Sequence, residues 1–376
     1  MPLRIAWRIL THQKGRTALA IGGIFIAILL IFVELGFFIA VPQGGMLIYD
    51  HMRFDLLVVS KKYIYQTESG QFPRTRLDQV RANPEVAQAS AVYLGGAKWQ
   101  DPAGGLRLDI AAIGFDPQSH PFTVSDIDSQ IAALERPGTV LVDSQTRAIF
   151  GPLNPGRVVE LNGQRTTIGG EYVLGTGFLG LGIVLANEQN FFRLFPGRPA
   201  DMVNFGLVTL RPGADPDRTA QALRASLAND TQVFTRPELT AHEVRFWTTR
   251  TGTGLIFGSG LIVAIVVGIM VLYQTLATQI TRQLPQFATL KAIGYTGLFL
   301  NGIVLAEAVS LMLIAFVPAF AAALGLYAVI RGETLLPVIM SPTELGGVLA
   351  IALAMSVISA FLSVGRLRRA DPAEVF

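Results

Sequence analysis

The side chains best equipped for chemistry are few and scattered. Four histidines (His12, His51, His120 and His242) stand at no spacing that suits a metal site, and none is set beside a serine and an acid as a nucleophile would need. Asp126 and Asp128 lie two apart in a polar stretch, the pattern of a solvated loop rather than of paired catalytic acids. There is no cysteine, which excludes disulfides, zinc thiolates, iron–sulfur clusters and thiol nucleophiles. Gly175-Thr176-Gly177-Phe178-Leu179-Gly180 is formally G-x-G-x-x-G. A dinucleotide site needs that motif between a strand and a helix, with an acid about 20 residues further on. Here Leu181-Gly182-Ile183-Val184-Leu185 follows and reads as a strand, so a β-turn is expected. A P-loop needs Gly-Lys-Ser/Thr to cradle phosphates, and the chain has no Gly-Lys dipeptide. Any ATPase that drives it must therefore be another chain. Asn229-Asp230-Thr231 matches a glycosylation sequon, a pattern short enough to arise by chance.

Two acids gain weight from their surroundings. Glu34 and Glu307 lie in long apolar runs, where charge is expensive and usually faces protein or water. Apolar residues make up 51% of the 376-residue chain and charged ones 15%, against about 25% in a soluble domain. The excess falls in four runs, 17–40, 255–276, 298–330 and 345–365, each long enough for the roughly 20 residues that cross a bilayer core. The first run lacks a small-x-small cleavage site and reads as an uncleaved span rather than a signal peptide. The third is too long for one untilted span, and Pro318 is expected to kink it. Glu34 sits toward the outer end of the first span, within reach of the interface. Glu307 sits about ten residues into the third, near mid-depth. It reads either as a coupling or dimer-interface residue or as a neutral, hydrogen-bonded packing residue. Gly258, Ser259, Gly260, Ala264 and Gly268 suit a close helix contact in the second span.

Charge sets the direction. The pI is near 9.3, yet outside the middle region most basic residues flank apolar runs, which fits membrane topology better than nucleic-acid binding. Arg4, Arg8, Lys14 and Arg16 crowd the 1–16 tail. Arg282 and Lys291 lie in the 277–297 loop, and Arg366, Arg368 and Arg369 in the 366–376 tail. The 331–344 loop has only Arg331. The positive-inside rule then puts both termini and 277–297 in the cytoplasm, and 41–254 and 331–344 outside. The expected fold is a membrane α-helical protein of four spanning helices, with a large mixed α+β extracytoplasmic domain inserted between the first and second spans. Within that domain, 55–60, 87–94, 106–115, 138–142, 157–161 and Phe205–Leu210 read as strands. Helices are expected over 76–82 and over 215–229, where Asp215-Pro216 supplies a cap and a first-turn proline. The 237–253 stretch reads as an amphipathic helix leading into the second span, either a transmitter of motion or an interfacial anchor using Trp247.

The 277–297 segment is the most informative. It begins polar and turns amphipathic, with Phe287, Leu290 and Ile293 on one face and Gly294 as terminator. A helix lying along the inner surface reads either as one that inserts that face into a groove on a soluble partner or as an interfacial helix with no partner. Leu284-Pro285-Gln286-Phe287-Ala288-Thr289-Leu290-Lys291-Ala292-Ile293-Gly294-Tyr295, together with the one-span, large-domain, three-span order, resembles the FtsX/MacB-type ABC permeases. The segment is most similar to the DevC subgroup of cyanobacterial exporters, as is the ending Arg368-Arg369-Ala370-Asp371-Pro372-Ala373-Glu374-Val375-Phe376. Gln286 departs from the acid expected there.

The resemblance implies a non-catalytic permease subunit of the inner membrane that works as a homodimer on two ABC ATPase chains. ATP and Mg would be held by those partners, and no cofactor by this chain. Arg282, Pro285, Gln286, Phe287, Leu290, Lys291 and Gly294 would form the coupling segment. A periplasmic membrane-fusion adaptor and a TolC-like duct would receive cargo, including glycolipids or other amphiphiles. The same architecture also serves mechanotransmitters that activate cell-wall enzymes. A membrane-anchored sensor without ATPase is the third reading.

Overall fold

The computed structural model describes residues 14–102, 104–334 and 338–369. Arg4, Arg8, His12, the tail from Ala370 to Phe376 and positions 335–337 of the 331–344 loop lie outside them. The chain divides into two compact units, an α/β unit over Val41–Arg250 and a helical unit built from the segments on either side.

Among the described residues, four helices are long and apolar enough to cross a bilayer: α1 (Lys14–Asp50), α8 (Gly252–Ala292), α9 (Gly297–Thr334) and α10 (Pro342–Arg369). The labels α2–α7 belong to the α/β unit. At 1.5 Å per residue, α8 is about 60 Å long, twice a bilayer core of about 30 Å. The expected 277–297 loop is therefore a continuation of the second helix to Ala292, not a separate helix on the membrane surface. Pro285 lies inside α8, Pro42 inside α1 and Pro318 inside α9. Likewise α1 runs ten residues past the expected end of the first span, because Val41, Met46, Ile48 and Tyr49 are buried in the α/β unit.

The helical unit packs by close approach rather than by hydrophobic drive, since lipid tails are as apolar as its side chains. A Cβ on Gly268 would meet Ala27 of α1 and Met355 of α10, and Ala264 is fully buried one turn away. Ile24, Ile28, Ile31 and Phe32 of α1 meet Leu311, Met312 and Ala315 of α9 in the same cluster. Ser359 and Ser363 of α10 donate to the carbonyls of Ile269 (3.0 Å) and Tyr273 (3.4 Å) on α8.

The α/β unit is organised by a nine-stranded sheet in the order β11-β1-β10-β3-β4-β8-β5-β7-β6. Its strands are β1 (Leu56–Ser60), β3 (Val86–Gln100), β4 (Leu108–Phe115), β5 (Thr139–Asp143), β6 (Val158–Leu161), β7 (Gln164–Tyr172), β8 (Ile183–Asn187), β10 (Phe205–Leu210) and β11 (Thr231–Thr235). β2 (Phe72–Pro73) and β9 (Met202–Val203) form a separate pair. The end of β3 also pairs with β6, Trp99 opposite Leu161, so β3-β4-β8-β5-β7-β6 closes into a ring. Leu56 and Val58 of β1 face one core while Leu57 and Val59 face the other, the period-2 signature of a strand covered on both sides. Each such fully buried side chain stabilises by about 1.5–3 kcal/mol.

Helices cover the sheet. α2 (Thr75–Arg81) and α6 (Pro216–Ser226) match the two expected helices. Asp215 caps α6, accepting from the backbone of Asp217 at 2.9 Å and Arg218 at 3.4 Å. Short helices α3 (Ser125–Asp128) and α4 (Ile131–Leu134), with α5 (Glu188–Leu194), fill the crossovers. The exposed edge of β11 is blunted by side chains. Arg224 holds the Val233 carbonyl, and Glu238 accepts from the Thr235 N–H at 2.9 Å. Last comes α7 (Arg236–Thr249), which buries Leu239, Glu243 and Trp247 along one face.

Candidate functional site

Two places carry a mechanical reading, one in each unit. In the helical unit it is the end of α8. Gly294, at φ +103°, takes the left-handed position of a Schellman stop. The Tyr295 N–H reaches the Leu290 carbonyl, and the Gly294 N–H the Lys291 carbonyl, both at 3.1 Å. Phe287 is buried with Leu276, Ile280, Leu300, Ile303 and Val364, and Leu290 packs against that cluster. The apolar face expected to dock a partner is thus largely turned into the chain's own helices. What faces out is Arg282, Pro285, Gln286, Thr289 and Lys291, with Ile293 70% and Leu298 82% exposed. Arg282, Gln286, Thr289 and Ile293 recur at helical spacing, so one outward stripe remains, polar with an apolar tip.

The two intramembrane acids have different settings within the helical unit. The Glu34 carboxylate lies against Gly260, where an added Cβ would come within 2.4 Å of Oε2. It turns into the bundle rather than out to the interface, and the missing side chain at Gly260 makes the space. Glu307 is buried within its own helical unit, and among the described residues neither carboxylate oxygen has a hydrogen-bond partner. Glu344, read from sequence as part of the 331–344 loop, is a buried first-turn residue of α10. Its backbone N–H donates to Ser341 Oγ at 3.1 Å, and its carboxyl lies 2.5 Å from the Tyr327 hydroxyl, which also contacts the Phe32 carbonyl. One tyrosine thereby ties α1, α9 and α10.

In the α/β unit the second place is the joint between the end of α1 and α7. Arg236 donates to the carbonyls of Tyr49 (3.3 Å), Met52 (2.5 Å) and Phe54 (3.2 Å), satisfying the orphan acceptors where α1 ends. Its guanidinium also lies 4.1 Å over the Phe54 ring. One turn before Tyr49, Gly45 lets α1 touch the Trp247 indole; a Cβ there would sit 2.2 Å from Nε1. Trp247 is buried, stacked on Phe178 at 4.5 Å and edge-on to Tyr65. It is an anchor inside protein, not at a lipid headgroup. Between them runs a buried polar chain. The hydroxyls of Tyr49 and Tyr63 are 2.8 Å apart, Tyr63 donates to Glu243 Oε1, and Trp247 Nε1 donates to Glu243 Oε2 at 3.1 Å. Burial raises the Glu243 carboxyl to about 7, against the two donated hydrogen bonds that favour its anion. Burial and the neighbouring Tyr49 and Glu243 hold Tyr63 well above the usual phenol range.

The glycine-rich run serves this joint. No helix follows Gly180; the 173–182 segment is a turn between β7 and β8. Gly177, at φ +49°, lies so close to the Gly44 carbonyl that a Cβ would come within 2.6 Å. The turn is pinned by buried Asp143, which accepts from the N–H groups of Gln145 (2.8 Å), Leu174 (3.2 Å) and Gly175 (2.7 Å). Burial pushes the Asp143 carboxyl up, and those backbone donors oppose it. Asp128, expected to be a solvated loop acid, instead bridges Arg53 (3.1 Å) and His120 Nδ1 (2.9 Å). Among the described residues no group of three or more His, Asp or Glu is placed to hold a metal. Sequence reading missed Glu243 as a site residue. The available signal was an acid in register with Leu239 and Trp247 at i, i+4, i+8, where an apolar residue belongs.

A family model described as the MacB-like periplasmic core domain matches residues 17–226, more than half of the chain. A second, described as the FtsX-like permease C-terminal, matches 258–372. Among solved structures, the periplasmic region of MacB from Actinobacillus actinomycetemcomitans is similar at 11% identity and a TM-score of 0.37, covering 54% of this chain and 96% of that one. The extracellular domain of the noncanonic ABC-type transporter YknZ from Gram-positive bacteria is similar at 14% and 0.33, covering 48% and 99%. A domain of a permease protein from Porphyromonas gingivalis is similar at 16% and 0.33, covering 48% and 91%. A comparison with the curated proteins finds no match.

Proposed function

The chain belongs to the MacB/FtsX-like family of ABC permeases, and on that footing we propose that it is the membrane subunit of an exporter driven by a separate ATPase. The carrying observation is the end of α8: a helix stopped by Gly294, presenting Arg282, Gln286, Thr289 and Ile293 outward. Such a stripe fits a groove on a soluble partner. The charge bias of the flanks supports a cytoplasmic position for it and an extracytoplasmic one for the α/β unit. Two copies of this chain would stand on two ATPase chains that hold the ATP and Mg. Hydrolysis would be the partners' work, and this chain non-catalytic.

Force would enter at 282–293, travel along α8 and reach the α/β unit through α1 and α7, the two helices that join it to the spans. Movement of that unit would drive cargo into a periplasmic adaptor and a TolC-like duct. The likeness of 284–295 to the DevC subgroup supports an amphiphilic cargo such as a glycolipid.

Co-purification tests this reading. The tagged chain is expected to capture an ABC ATPase, and Ile293→Asp to lose it with the helical unit still folded, since Ile293 is exposed. Leu290→Asp is a poorer probe, because Leu290 packs inward. Failure to capture an ATPase, or undiminished capture by Ile293→Asp, overturns the assignment. An adaptor in the captured complex separates export from cell-wall enzyme activation.

A further inference from the structure

Glu243 is fully buried, and among the described residues its hydrogen-bond partners are Tyr63 and Trp247. A buried carboxyl is normally paired with a cation or neutralised. The groups that face it from each packed element are uncharged at neutral pH. They are Tyr49 from the end of α1, Tyr63 from the loop after β1, and Trp247 one turn on. His242, on the same helix, has its ring against Tyr63 and Phe234, and its Nε2 is engaged by the Ile64 carbonyl at 2.9 Å. Arg236 is committed to the carbonyls of Tyr49, Met52 and Phe54, while Asp50 and Arg245 are exposed. Among the described residues no cation compensates Glu243, yet the residue sits where the two chain exits of the α/β unit are fastened together.

We propose that Glu243 is the proton-binding element of a latch between α1 and α7, which closes with a proton on the carboxyl and releases that proton to water on opening. The inference rests on reading this joint as the working hinge of the permease, but it concerns this chain alone and requires no ATPase.

The sign follows from linkage. In the closed joint the Glu243 carboxyl titrates at about 7, while opened to water it returns to the ordinary 4.5. The closed form therefore binds the proton more tightly. Its advantage is complete below about 4.5 and is lost as pH rises through about 7. Acid outside holds the latch shut; neutral to alkaline conditions ease it. Tyr63, held far above its usual range, keeps its proton throughout.

Amide hydrogen exchange on the full-length protein in nanodiscs reads this directly, once rates are corrected for the intrinsic pH dependence of exchange. Between pH 5.5 and pH 8, protection over 41–50 and 239–249 is expected to fall on the order of tenfold. Val86–Gln100 serves as an internal control and should not change. Glu243→Gln, a neutral isostere of the protonated acid, is expected to keep high protection at both pH values. The latch is refuted by wild-type protection at the joint that is flat with pH, by a fall shared equally with Val86–Gln100, or by a Glu243→Gln variant that retains the full pH response. Should the variant misfold, the wild-type comparison of joint against control decides alone. Because no ATPase is present, this outcome is independent of the capture experiment.

Discussion

At the residue scale, the side chains that matter most are buried polar ones that no motif announces. Asp143 is fully buried and holds three backbone N–H groups, its neighbour Gln145 and two, Leu174 and Gly175, of the turn that rests on α1. Asp143→Asn replaces one acceptor oxygen by a donor and leaves at least one buried N–H unpaired, a loss of about 1–3 kcal/mol. Thermal unfolding of the full chain is expected to shift down accordingly, with Asp143→Glu no better because its longer stem cannot fit the turn. Gly45→Val should act similarly, since its Cβ would overlap the Trp247 indole. An unshifted melting curve in both would mean the joint is looser than its contacts imply. These positions were hard to read in advance for a physical reason. Gly45 looks like a weak point in an apolar helix, and Glu243 like a solvated acid, until the opposing face is known. Glu34 was visible as a costly charge, but its turn into the bundle depended on Gly260, more than 200 residues away.

At the element scale, apolar periodicity carried well. β1, β4, β5, β6 and β10 begin and end within two residues of the expected strands, because each is bounded by turn residues and buried on at least one face. β7 was not legible: Gln-Arg-Thr-Thr-Ile-Gly-Gly-Glu-Tyr carries too few apolar residues, and its period-2 burial comes from closure of the strand ring. Hydropathy also marks where a helix leaves lipid, not where it stops. Hence α8 was cut at 276 although its hydrogen bonds run to Ala292, and α1 at 40 although it runs to Asp50. The stop itself was readable, because only a residue tolerant of φ +103° suits that end. Gly294→Ala is expected to cost about 1 kcal/mol locally and fray the last turn of α8. Faster limited proteolysis between 290 and 298 would register that fraying, and unchanged cleavage would show the turn is held by something other than its cap.

For the whole molecule, composition and hydropathy order were enough for four apolar helices and one large α/β unit following the first of them in the chain, and the family matches agree with that order. The ring β3-β4-β8-β5-β7-β6 was beyond reach, since it depends on a 15-residue β3 serving two sets of neighbours. The proposal at this scale is that ATP used by a partner chain moves the α/β unit. The chain has no cysteine, so Leu106→Cys, at a position 73% exposed in the α/β unit, offers a single labelling site per copy. With the proposed dimer reconstituted in nanodiscs beside the proposed ATPase, the distance between the two spin-labelled sites can be compared without nucleotide and with ATP trapped. The account predicts a distance distribution that shifts on ATP binding and returns after hydrolysis, with the shift lost in Ile293→Asp. Identical distributions in both states, while the ATPase turns over, would contradict it.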